Sequence, residues 1–285
     1  MSQTDWAPSE IQLERLAYRQ RRLVRSATIS AVSTLVLGTI VILAVTHSPG
    51  WPVVKKTYFD VSYGWQVLPG IAKGLWLNIR IMVVCEFFIL IFAMILAVAR
   101  TLRGPVFFPI RAAATVYVDL FRGLPQLVVL LGCGFGIPAL QLQGVPTSTT
   151  FWGAVALILT YSAYVAEVLR AGMESVHPSQ RAAARSLGLS HAQSLRYVVI
   201  PQGVRRVIPA LLNDLVSLQK DTSLVSILGV VEAIQTAQID IAKTFNYTPL
   251  VVASMLFVLL TIPMTRFTDW VAARRGANLA SGGIV

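Results

Sequence analysis

Three ionisable side chains lie inside strongly apolar stretches. Glu86 directly follows the run Ile81–Cys85, and Lys220 and Asp221 lie within the stretch 208–231. Ionisable groups in lipid-spanning segments are costly and usually mark a transport path or an internal ion pair. For Glu86 two interpretations stay open, a carboxylate that meets a cationic group of a passing substrate, or a protonated or paired packing residue. For Lys220 and Asp221 the alternatives are a polar lining of the path and a structural pair between helices, and we expect the pair.

Three further charged residues share one helical face at the end of another apolar stretch. Glu167, Arg170 and Glu174 are spaced three and four residues apart, at which side chains on a helix meet. We therefore expect a ladder of salt bridges that positions the polar segment following it.

The sequence contains no pattern typical of an enzyme or a metal centre. His47, His177 and His191 fall in predicted loops without a metalloprotease or Ser-His-Asp arrangement, and there is no phosphate-binding GxxxxGK[ST] motif. Cys85 and Cys133 both lie in apolar windows, which predicts neither a disulfide framework nor metal ligands. We expect no catalytic residue, metal or cofactor in this chain.

The composition is that of a membrane protein. Of the 285 residues 55% are hydrophobic and only 13% charged, whereas soluble proteins are about a quarter charged. The net charge of +11 does not indicate nucleic-acid binding, because the basic residues cluster just outside apolar windows of spanning length. We predict an all-α integral membrane protein of about six spans.

The apolar windows set the predicted order of elements. A polar tail, solvated or forming a weak surface helix, precedes the first span, and the third span is interrupted at Arg122–Pro125. Gly132–Gly136 indicates either close helix packing or a break. An outer loop is expected at 232–247. The predicted spans are 26–46, 67–99, 112–131, 151–170, 208–231 and 249–271.

Lysine and arginine positions predict the orientation. Inner segments of membrane proteins are enriched in these residues, and most of the arginines fall on the side that holds the N-terminus. An even number of spans then puts both termini, and the segment 171–207, in the cytoplasm. The predicted outer side holds only Lys55, Lys56, Lys73, Arg80 and Lys243.

The polar segment has the pattern of a compact surface knob. Ser179–Leu187 is alanine-rich and predicts a short helix, which Gly188 would end in the left-handed conformation. Ser190 with Gln193 is a capping box that starts a second helix. This second helix is expected to end at Pro201.

These residues resemble the cytoplasmic EAA loop of ABC-importer permeases of the polar amino-acid uptake branch. The spacing from Gly188 to Pro201 matches, although Ser179 stands for the family's glycine and Ala182 for its glutamate. Motifs in the same order elsewhere extend the resemblance over about 70–275. They are Tyr117–Pro125 (YVDLFRGLP), Ser162–Glu167 (SAYVAE), Pro201-Gln202 and Lys220–Leu224 (KDTSL).

The resemblance implies a type I importer permease fold and a set of partners. The expected partners are a cytoplasmic ATPase dimer that holds ATP-Mg, a second permease that is identical or related, and an extracytoplasmic solute-binding protein. The substrate would be a polar or charged amino acid or a related small zwitterion, and the location the bacterial plasma (inner) membrane. The expected domains are a tail 1–25, an additional helix and outer loop 26–66, the permease domain 67–275 with its loop 171–207, and a tail 276–285.

The ionisable groups within spans and the resemblance together give the site residues. Glu86, Lys220 and Asp221 are the candidates for the substrate path. Residues expected to contact the ATPase are Ser179, Gln180, Arg181, Ala182, Ala183, Ala184, Arg185, Gly188 and Pro201.

Two other functions fit parts of the sequence. A secondary transporter needs no ATPase but usually has an inverted repeat, which the sequence lacks. A non-transporting membrane scaffold or receptor could use the basic loop to bind a partner. Co-purification with an ATPase distinguishes the three.

Overall fold

The structure is a computed structural model that describes residues 9–102 and 104–281, with side chains as far as Arg274. Throughout this described part the regular structure is helical, without strands. The chain divides into two compact units between Lys56 and Thr57.

The first unit is built on one long helix. Helix α1 spans Glu10–Thr46 and has no buried residue, and Ser9 with Gln12 forms a capping box at its start. The tail 1–25, expected to be solvated with a weak surface helix as the alternative, is helical and exposed from Glu10 onward, while residues 1–8 lie outside the described part. Extending a formed helix costs no new nucleation, so the arginine-rich stretch simply continues the span.

Eleven described helices follow α1: α2 crosses the boundary between the two units, and the other ten lie in the second unit. They are α2 Trp51–Tyr58, α3 Val61–Thr101, α4 Phe108–Gly123, α5 Gln126–Leu131, α6 Ile137–Ala139, α7 Thr149–Glu174, α8 Pro178–Ser186, α9 His191–Ser194, α10 Ile200–Asp221, α11 Ala233–Thr244 and α12 Thr248–Ser281. Helix α7 is central and packs against α3, α4, α5 and α10. The buried residues of α7 run from Gly153 to Met173 and are mostly small or apolar, as packing against four neighbouring helices requires.

The number of helices that can cross a membrane agrees with the prediction of about six spans. Four described helices are long and apolar enough by themselves, and two bent pairs bring the total to as many as six. The first pair bends by 106° between Gly123 and Gln126, and the second bends by 46° before Ala233.

The first bend confirms the interruption predicted at Arg122–Pro125. Leu124 is extended, with φ −86° and ψ 138°, as expected for a residue that precedes a proline. The glycines that follow form a π-helical stretch, Gly132–Gly136. A Cβ at Gly134 would lie 2.4 Å from the Leu228 side chain. The stretch therefore remains helical, and Gly134 allows it to pack closely against Leu228.

Two predicted boundaries are wrong. Pro201 does not end a helix, because it lies at the start of α10, where the hydrogen-bond register changes from π to α. A π-helical stretch, Leu195–Val199, joins α9 to α10 without a break. The expected outer loop 232–247 contains helix α11, which Glu232 caps.

Candidate functional site

The knob, defined as residues 178–194, has the local structure that its sequence predicts. Helix α8 is followed by Gly188 with φ +80°, a left-handed conformation that costs little only for glycine. Ser190 and Gln193 form the predicted capping box. Leu187 projects with 82% of its surface exposed, while Ala184 faces inward. The knob therefore presents an apolar tip on a rigid turn.

One hydrogen bond fastens the knob to the end of α7, and another ties α10 to the residue that follows α7. Arg181 Nη2 donates a 2.7 Å hydrogen bond to the carbonyl of Met173 at the end of α7. Arg206 of α10 donates to the carbonyl of Ser175, the residue that follows α7. The Arg181 side chain thus points back to the bundle, whereas Arg185 is exposed on the knob.

Helices α7 and α10 touch directly beneath the knob. A Cβ at Gly172 would lie 2.7 Å from the carbonyl oxygen of Gly203, and a Cβ at Gly203 would lie 2.8 Å from the Met173 backbone. Any other residue at either glycine would push the two backbones apart. The knob therefore rests on a joint in which α7 and α10 are held backbone to backbone.

An ion-pair cluster centred on Glu167 joins three helices near the same end. Glu167 contacts Arg100 of α3 at 2.6 Å, Arg170 at 2.5 Å and Arg122 of α4 at 3.8 Å. Arg170 also pairs with Glu174, which confirms the predicted ladder. Arg100 and Arg122 were not predicted, since they lie on other helices and far from Glu167 in sequence.

Acidic groups meet inside the bundle. The Glu86 carboxyl of α3 lies close enough to Asp214 of α10 for their charges to interact. Two turns further along α10, Asp221 Oδ2 accepts a 2.8 Å hydrogen bond from the Tyr161 hydroxyl of α7. Asp214 and Tyr161 were missed, although the rule that flagged Asp221 applies equally to Asp214.

The side chains of Lys220 and Asp221 have different surroundings. Asp221 bonds to Tyr161, whereas the Lys220 side chain is exposed and forms no ion pair with any residue that the structure describes. The expected structural pair is therefore absent from the described chain. Lys220 instead shares an exposed face of α10 with Asn213 and Arg206, each seven residues from the next.

A buried polar network closes the opposite end of α10. Asn78 of α3 donates to Thr222 Oγ1 at 3.3 Å and accepts from the backbone N–H of Ala233 at 3.3 Å. Fully buried Glu232 caps α11 by accepting from the Gln235 N–H at 2.8 Å. These bonds satisfy backbone and side-chain groups at the second bend, a structural role that the sequence does not reveal.

Comparison with known proteins gives one consistent result. Residues 67–276 match the family described as binding-protein-dependent transport system inner membrane component. The chain is 32% identical over 200 residues to the arginine transport system permease protein ArtQ of Bacillus subtilis, covering 70% of this chain and 89% of that protein. It is 33% identical over 225 residues to a probable amino-acid ABC transporter permease protein of Sinorhizobium fredii, covering 77% and 94%.

A solved structure has the same arrangement of helices. The match is to a chain in the crystal structure of an amino acid ABC transporter with histidines, at a TM-score of 0.68 and 28% identity. It covers 75% of this chain and 98% of that chain. The knob, the Glu167 cluster and the intramembrane acids all fall within the part of this chain that the family match covers.

Proposed function

The chain belongs to the family of binding-protein-dependent transport system inner membrane components, with the fold of type I ABC importer permeases, and on this premise we propose that it translocates amino acids into the cytoplasm, driven by a separate ATPase. One observation carries the proposal. Helix α7 holds the knob through Met173, and α10 is tied to this end by Arg206 and to the middle of α7 by the Tyr161–Asp221 contact. Arg206 and Asp221 are 15 residues apart on α10, so a movement of the knob reaches Asp221 through about 22 Å of helix.

The acidic groups indicate the class of substrate. Glu86, Asp214 and Asp221 place carboxyl groups within the bundle, which suit the ammonium group of an amino acid or a cationic side chain. Lys220, exposed on the same helix as Asp214 and Asp221, suits a carboxylate. The arginine named for the Bacillus subtilis relative carries all of these groups, so we propose a polar or cationic amino acid as substrate.

The family implies an ATPase and a solute-binding protein as partners. We propose that a dimer of ATPase subunits holds ATP-Mg, since this sequence has no phosphate-binding loop, and that a second permease completes the pathway. The basic inner segments favour a knob on the cytoplasmic side. There its exposed residues, among them Gln180, Ala182, Ala183 and Leu187, are available to an ATPase cleft.

Ala182 stands where the family has a glutamate, so the knob lacks a carboxylate at this position. Arg181 points back to the bundle and bonds to Met173, which leaves Arg185 as the exposed charge of α8. We propose that docking relies on the apolar tip together with Arg185. An Arg185→Glu exchange should then weaken capture of the ATPase more than Arg185→Ala.

Reconstitution tests the function directly. The full chain is incorporated into vesicles with the ATPase and binding protein found beside it in the genome, and uptake of radiolabelled amino acids is measured with and without ATP inside. We expect ATP-dependent uptake of arginine, glutamine or a related amino acid. Uptake that proceeds without ATP, or failure to capture the ATPase, would contradict the proposal and favour a secondary transporter or a scaffold.

A further inference from the structure

A basic cleft opens between the knob and the bundle. Its volume is about 300 Å³, and its walls come from the end of α3, the start of α4, the end of α7 and the knob itself. The charged or titratable side chains that line it are Arg100, Arg111, Glu174, Arg181, Arg185 and His191. Four guanidinium groups therefore face one carboxylate.

The acidic groups nearby are already neutralised. Glu174 pairs with Arg170, which does not line the cleft, and Glu167 pairs with Arg100. The cleft consequently keeps an excess of positive charge from Arg111, Arg181 and Arg185.

One donor in the cleft wall lacks an acceptor. Arg181 uses Nη2 to bond to Met173, but its Nε is buried and has no hydrogen-bond partner among the described residues. Arg111 uses Nη1 to bond to the Leu102 carbonyl at 3.0 Å, which leaves its other N–H groups available. Buried polar groups are nearly always satisfied, so an acceptor from outside this chain would complete the site.

A second groove continues from the cleft along α4. It has a volume of about 440 Å³ and shares Arg100, Arg111 and Glu174 with the cleft. The rest of its lining includes Phe108, Ala112, Thr115 and Val116 of α4. Phe108 is 60% exposed and Val116 is 65% exposed, so an open apolar track leads away from the basic cleft.

We propose that the cleft and groove together bind one anionic phospholipid. Its phosphate accepts hydrogen bonds from Arg111 and Arg181, and an acyl chain lies along Phe108, Ala112 and Val116. Basic pockets between membrane helices at the cytoplasmic surface suit anionic head groups. A free phosphate would fill the cleft but leave the apolar track uncovered, which is why the geometry points to a lipid. The lipid would touch the knob through Arg181 and thereby link lipid composition to coupling.

Native mass spectrometry of the purified full chain tests the charge requirement. The protein is titrated in detergent with phosphatidylglycerol or with phosphatidylcholine of the same acyl chains. We expect preferential binding of phosphatidylglycerol, and a loss of roughly fivefold in its affinity for Arg111→Gln, since one basic residue at a membrane surface contributes about that factor. Arg196→Gln removes the same charge from the knob side but lines neither space, so its affinity should stay that of the wild type.

A second variant tests the acyl track. Ala112→Trp fills the groove without changing charge and should also weaken phosphatidylglycerol binding, whereas inorganic phosphate should not displace the lipid. If Arg111→Gln fails to fold, Arg185→Gln replaces it. Arg185 is exposed and also lines the cleft, so its loss should likewise weaken phosphatidylglycerol binding. Equal binding of the two lipids, or equal affinities for Arg111→Gln and Arg196→Gln, overturns the proposal. Competition by inorganic phosphate with no effect of Ala112→Trp would establish a soluble-anion site instead.

Discussion

The Tyr161 hydroxyl donates a 2.8 Å hydrogen bond to Asp221 Oδ2, which joins the middle of α7 to the last residue of α10. The same two helices touch again at Gly172 and Gly203. They are thus tied at two levels, one beside the knob and one inside the bundle. This pair of ties connects the surface that we expect to meet the ATPase with the acids that we expect to meet the substrate.

Tyr161→Phe should impair transport without loss of protein from the membrane. It removes a hydrogen bond to a carboxylate, an interaction that contributes about 1.5–3 kcal/mol, and leaves Asp221 without its described partner. We expect a lower melting temperature and several-fold slower uptake per assembled complex. Tyr197→Phe, at an exposed tyrosine of the described chain, is the control and should match the wild type in both measurements.

Gly188→Leu should uncouple ATP hydrolysis from uptake. A Cβ at Gly188 meets no atom within 4 Å, so the effect comes from its φ of +80° alone, which costs other residues about 1–2 kcal/mol. Gly188→Asn should be tolerated, because asparagine adopts this conformation more readily. ATPase activity and uptake are measured in the same vesicles. Normal uptake by Gly188→Leu at normal protein level would show that the turn geometry is not needed.

Glu86→Gln separates a substrate contact from a structural role. If Glu86 meets the substrate, Glu86→Gln should slow uptake of a cationic amino acid more than that of a neutral one, because the amide keeps the size and loses the charge. If Glu86 is structural, Glu86→Gln should transport normally while Glu86→Leu lowers the amount of assembled complex. Asp214→Asn removes the neighbouring carboxyl and tests in the same two assays whether transport needs both acids. Full transport and assembly in all three variants would exclude both roles.

Glu167→Gln should destabilise the bundle. The change leaves Arg100, only 14% exposed at its side chain, without its anion. Removing one partner from a fully buried pair costs about 3–5 kcal/mol, and the partial exposure here reduces our expectation to about 2 kcal/mol. Asp240→Asn breaks the exposed pair with Lys243 and should cost less than about 1 kcal/mol. Thermal unfolding of both variants in the same detergent compares them, and equal losses would contradict a special role for the cluster.

Cysteine labelling tests the orientation of the knob. In a variant without Cys85 and Cys133, Arg185→Cys should react with an impermeant maleimide only after the cells are opened. Lys243→Cys, on the predicted outer side, should react in intact cells. Labelling at position 185 from outside would reverse the orientation that the distribution of arginines indicates.

Local patterns in the sequence were sufficient for the spans and the knob. The capping box at Ser190 and the glycine turn at Gly188 depend on residues within a few positions of one another, and both occur as expected. Pro201 was misread because a proline interrupts a helix in its interior but not in its first turn. The sequence around Pro201 does not reveal whether it lies inside a helix or in its first turn, because the π-helical stretch Leu195–Val199 runs directly into α10.

Contacts between distant residues were not predictable in the same way. Arg100 and Glu167 are 67 positions apart, and only the packing of α3 against α7 brings them together. Tyr161 could not be singled out because its partner lies on another helix. Asp214, in contrast, was available to the sequence rule for ionisable residues within spans, and Lys220 was expected in a pair that the described residues do not form.

The glycine joint under the knob limits how this protein can change shape. With no side chain between Gly172 and Gly203, the two backbones are in direct contact, and we expect them to turn together as a single lever. Opening and closing should then occur where the chain changes direction, at the 106° bend after Gly123 and the 46° bend before Ala233. Distances between spin labels on α7 and α10 would stay constant through a transport cycle, while those from α4 to α5 would change.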